Sequence, residues 1–196
     1  MQSNKKSIKV PGGFKLILIF LFVLSLLYFT ITNVSEGLSA SEILASTLLL
    51  SIPLALLNFS VWLIVTAKRQ KRINGRLSFR TLRHIHWTPR IAGIILAAFI
   101  ASFSFDVFSS REYTLEILVG FLIHSIPSIV IGIIVFLSWK NDQIGFWAFL
   151  FISLIFTTVI LKNPEMILGY ILLFIGPMIC TSILYWLGWK WGRGVK

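Results

Sequence analysis

The sequence predicts an all-α integral membrane protein with six transmembrane helices, arranged as three parallel two-helix hairpins with both termini on the cytoplasmic side. Three observations carry this. Composition is the first: 57% of the 196 residues are hydrophobic and only 13% are charged, against about 25% charged in soluble domains. The second is a repeated stretch. Residues 42–53 and 116–127 share one frame, an opening Glu-Ile-Leu and a closing Ser-Ile-Pro, set 74 positions apart. A third copy, residues 165–177, is fainter and one residue longer. The third observation is charge placement. With alternating spans, 16 of the 18 Lys and Arg residues fall on one side, leaving Arg111 and Lys162 on the other. That is the positive-inside pattern.

Taken in order, residues 1–13 are polar and basic, and Pro11-Gly12-Gly13 breaks the chain before a first span at 14–33. This start imitates a signal peptide, but its apolar run is longer than a signal core, so the span is read as retained. The second span covers 43–67, behind a Ser39-x-x-Glu42 capping box. Residues 68–90 form the one long polar connection. Their mixture of Arg76, Arg80 and Arg83 with Ile73, Leu77, Leu82 and Ile85 fits two readings, an amphipathic helix lying on anionic lipid or a solvated basic linker. Pro89 is expected to start the third span, at 91–108. The remaining spans are read at 114–138, 144–161 and 166–189, joined by short turns. Six tryptophans (87, 139, 147, 186, 189 and 191) gather at the inner interface as an aromatic belt. All of residues 1–196 belong to this single membrane domain.

From about Trp87 to Trp189 the chain resembles a family of small four-span bacterial membrane proteins of unknown function. The likeness centres on Asp106-Val107-Phe108-Ser109 and His124-Ser125-Ile126-Pro127. It implies a helical bundle in a bacterial cytoplasmic membrane and brings no activity with it. The N-terminal hairpin is extra, and has Thr32 and Leu50 where the aspartate and histidine stand.

Candidate functional residues are few. His124 is an ionisable group within a span, where such groups often mark a pathway and also serve as packing bonds. It is expected to be buried against other helices and hydrogen-bonded to Asp106, a serine or a backbone carbonyl. It shares a four-residue ridge with Gly120, Ser128 and Gly132. Glu42, Glu116 and Glu165 open the long helices, where a carboxylate meets the helix dipole or forms an acidic ring. Pro53, Pro127 and Pro177 are expected to kink these helices, with Ser51 and Ser125 bonding backbone freed nearby.

The pattern excludes several function classes. No His-Glu-x-x-His, phosphate-binding glycine loop or nucleophile elbow occurs, and Cys180 is the only cysteine. The chain is therefore expected to be neither an enzyme nor a metal or cofactor protein, and its positive charge serves topology rather than nucleic acid. Its expected partners are the bilayer, anionic lipid at 68–90, a second copy, or another membrane protein. The leading reading is an accessory or interaction protein. The runner-up is a small-solute or proton-linked transporter subunit with a pathway near His124 and Asp106.

Overall fold

A computed structural model describes residues 12–109, 115–161 and 167–192. All regular structure among them is helical. The helices are α1 (Gly12–Ser35), α2 (Ala40–Asn74), α3 (Phe79–Ser102), α4 (Leu115–Ser138), α5 (Asp142–Ile160) and α6 (167–191), with a 3-10 segment Phe103–Ser109 continuing α3. Five of the six are long and apolar enough to cross a membrane, and the apolar part of α5, Asp142–Thr158, is shorter.

The side-chain register shows neighbouring helices running antiparallel. Thr30 meets Thr47 and Asn33 meets Ser46 between α1 and α2. Between α5 and α6, Ser182 donates to the Phe146 carbonyl at 2.9 Å, while Phe156 stacks on Phe174 further along. Helix α6 occupies the middle, packed against α2, α3 and α5; α1 rests on α2, and α4 lies against α3 and α5. The central layer is filled by Leu96, Phe99, Ile131, Val135, Phe149, Met178 and Tyr185. Leu63, Ala67, Ile85, Cys180, Leu184 and Leu187 continue it toward one end. Every Lys and Arg among the described residues lies at that end, from Lys15 on α1 to Lys190 on α6. We call it the basic end.

The stretch 68–90 corrects both readings of it. It is neither a linker nor a separate short helix, but the meeting of two long ones. Helix α2 runs on to Asn74, and α3 begins at Phe79, so only four residues turn the chain. Gly75 adopts φ 66°, the left-handed position that terminates helices, and Lys71 and Arg72 meet the negative end of the α2 dipole. Ser78 caps α3 by accepting from the Thr81 amide at 3.3 Å, and its own amide donates to Gln70 Oε1 at 3.2 Å. Pro89 is accordingly inside α3 and does not start it. Hydropathy marks where a helix leaves the apolar layer, not where the helix ends.

The third copy of the repeated stretch, one residue longer than the others, contains a wide helical turn. Within α6, residues Ile171–Ile175 form a π turn, and the Gly176 amide donates to the Ile171 carbonyl, five residues back. Such a wide turn holds one residue more than an α turn. Gly176 makes it feasible, since a Cβ there would sit 2.9 Å from the Ile171 oxygen and 3.2 Å from Leu57 on α2. Pro53 and Pro127 lie inside α2 and α4, and Pro177 directly follows Gly176. Ser51 donates to the Leu48 carbonyl and Ser125 to that of Phe121, both at 2.7 Å. Neither bonds the carbonyl its proline leaves free, which lies four residues before the ring at 49 or 123.

Candidate functional site

The most heavily built polar constellation is a buried ion pair at the basic end. Arg90, on α3, is 2% exposed, and its Nη2 meets Asp142 Oδ1 at 2.6 Å. Helix α3 aims Arg90 inward because Thr81, Ile85, Thr88, Ala92 and Leu96 form its buried stripe. The guanidinium lands where α4 ends and α5 begins. It donates to the carbonyl of Ser138 at 3.3 Å and to that of His86 one turn back on its own helix. Asp142 sits in the first turn of α5, so its carboxylate meets both the guanidinium and the positive end of that helix. Arg90 in turn meets the negative C-terminal end of α4. The Tyr185 ring of α6 stands 5.8 Å from the guanidinium carbon, within cation–π range.

Two glycines let this junction close. A Cβ at Gly145 would lie 2.7 Å from Tyr185 ring carbons and 2.8 Å from Ser138 Oγ. One at Gly188 would lie 3.1 Å from Asp142 Oδ2. The site thus joins α3, α4, α5 and α6 through one charge pair. Sequence reasoning missed it, counting Arg90 among the basic residues of a loop and Asp142 as part of a tight turn. A signal was present: with alternating spans, Asp142 is the one acid that falls on the basic side. A carboxylate kept among many cations invites the search for a partner.

The residues singled out from sequence do not assemble into a site. His124 is exposed on the outer side of α4, with Nδ1 donating to the Gly120 carbonyl of its own helix at 2.8 Å. Its expected burial against neighbouring helices is therefore corrected, and the acceptor is a backbone carbonyl within the same helix. The packed face of α4 is Ser125, Ser128, Ile131, Val135 and Ser138. Positions four apart advance by about 400°, so the ridge from 120 to 132 turns by about 120° and cannot stay on one face. Gly120 approaches Val107 and Ser128 is buried, whereas Gly132 has open space beside it.

Asp106 lies in the 3-10 segment; its side chain is outside the described part of the structure, as is all of Glu165. Glu116 stands exposed in the first turn of α4. Glu42 closes the capping box, accepting from the Ser39 amide at 2.8 Å and its hydroxyl at 2.6 Å. These bonds, ahead of the apolar run that starts at Ile43, hold its carboxyl below the usual carboxylate value. No group of three His, Cys, Asp or Glu residues able to hold a metal occurs among the described residues.

Residues 78–195, more than half the chain, match the domain of unknown function DUF7670. The chain belongs to the DUF7670 family. The match opens at Ser78, the residue that caps α3, and takes in α3, α4, α5 and α6. These are the four helices that the Arg90–Asp142 pair joins, so the DUF7670 unit contains the whole site and α1 and α2 lie outside it. No curated protein and no solved structure matches the chain.

Proposed function

We propose that this DUF7670 protein is a six-span protein of the bacterial cytoplasmic membrane, with the basic end cytoplasmic, acting as a non-enzymatic accessory or interaction protein. The observation that carries the reading is the filled centre. Leu96, Met178, Leu184, Tyr185 and Phe149 are each fully buried where a solute path would run. Most intrahelical hydroxyls among the described residues, Ser125, Thr157 and Ser153 included, bond carbonyls of their own helices and line no route. His124, the residue on which the transport reading rests, lies on the outside of α4.

The positive-inside rule supports the orientation, since Glu36, Glu42 and Glu116 lie at the end opposite the described Lys and Arg residues. Three parallel hairpins account for the repeat, and the π turn in α6 absorbs the surplus residue of the third copy. The four-span bacterial family resembled by residues 87–189 corresponds in this reading to α3–α6, with α1 and α2 as an added hairpin.

Reconstitution in liposomes tests the choice. Vesicles bearing the protein should hold an imposed pH gradient as long as empty vesicles do, and in-membrane cross-linking should yield discrete adducts with itself or one partner. Collapse of the gradient that disappears in His124→Gln would replace this reading with proton-linked transport.

A further inference from the structure

The α2–α3 hairpin stands well beyond the ion pair. Phe79 precedes Arg90 by eleven residues on one continuous helix, which places the hairpin tip about 16 Å further along the α3 axis. Lipid headgroups occupy only about 5–8 Å outside the hydrocarbon layer. The apolar runs read from the sequence end at 67 on α2 and begin at 91 on α3. With the hydrocarbon edge at those positions, the tip clears the headgroups and lipid reaches only its base. Arg72, Arg76, Arg80 and Arg83 are exposed there, and no Asp or Glu occurs between Glu42 and Asp106 to neutralise them. Two large apolar side chains stand out among these arginines, Ile73 at 55% exposure and Phe79 at 70%. The element is rigidly held: Gln70 ties the turn to Ser78, and Leu77 and Ile85 pack with Ala67, Leu187 and Trp191.

We infer that this hairpin is the docking surface for an acidic amphipathic helix of a partner protein on the same side of the membrane. Arginine with aromatic anchors is the composition of protein interface centres. An aliphatic anchor such as Ile73 suits an apolar helix face and has nothing to offer a phosphate backbone. Preorganisation reduces the ordering cost of binding, and charge complementarity sets approach and orientation. The inference rests on the interaction-protein reading and adds to it the surface and the chemical class of partner.

The full chain in phosphatidylcholine nanodiscs would be titrated, by fluorescence anisotropy, into a labelled amphipathic helical peptide of Glu and Leu. The peptide's scrambled counterpart, a single-stranded RNA, and nanodiscs containing phosphatidylserine complete the set. The helical peptide should bind at least about tenfold more tightly than the scramble, and R72E/R76E/R80E should lose at least about tenfold. Phe79→Ser, at an exposed position, should weaken binding several-fold while retaining the charge. Equal binding of the scrambled peptide would reduce the surface to bulk charge attraction. RNA binding that exceeds the peptide's and ignores Phe79→Ser would make it a nucleic-acid surface. Loss of peptide binding in phosphatidylserine would make lipid the occupant. Each result overturns the inference while leaving the interaction reading to stand or fall on the liposome experiment.

Discussion

Arg90 and Asp142 tie four helices together through one buried charge pair. Removing either partner leaves a buried charge uncompensated, which costs about 3–5 kcal/mol, whereas replacing both by apolar groups of similar volume is often neutral. Unfolding in mixed micelles should therefore show Arg90→Met and Asp142→Leu each strongly destabilised, and the double variant restored by more than half. Additive losses would mean that the pair is not coupled. His124 should behave oppositely. Its partner is in its own helix, so His124→Leu should change stability by no more than about 0.5 kcal/mol, as exposed substitutions do. A larger loss would place His124 against a neighbouring helix after all.

Glycine and proline set what the helices can do, and here sequence was a partial guide. The capping box at Ser39 and Glu42 was legible because its chemistry is local. The approximate places of the helices were legible because summed hydropathy marks the apolar runs. The ends of α2 and α3 were not, since Lys, Arg and Gln continue a helix as readily as they make a loop. Arg90–Asp142 was hidden for a different reason: 52 positions separate the two residues, and only the packing of α3 on the α4–α5 turn brings them together. The ridge from Gly120 to Gly132 misled because four-residue spacing drifts around a helix.

The surplus residue of the third copy was visible in the sequence, and the π turn at Ile171–Ile175 lies within that copy. Deleting Ile171 should convert that turn into regular α-helix and leave the register on both sides intact. The variant should stay folded and keep its Arg90–Asp142 coupling. An equivalent deletion at Leu122, in regular α-helix, would rotate half of α4 by about 100° and should unfold the bundle. If both deletions unfold the protein, the π turn is not an absorbed surplus residue.

At the scale of the molecule, α6 is enclosed by α2, α3 and α5, and the DUF7670 unit carries the ion pair while α1 and α2 add the outer hairpin. We propose that six spans place the hairpin tip and the end of α6 together on the cytoplasmic side. A five-span arrangement, with the shorter α5 failing to cross, would separate them. Membrane-impermeant maleimide labelling of single cysteines in intact cells decides it most directly, with Cys180 replaced by serine. Glu36→Cys should label from outside, whereas Arg76→Cys and Lys190→Cys should label only after permeabilisation. Labelling of Arg76→Cys from outside, or of Lys190→Cys without Arg76→Cys, would overturn the six-span arrangement.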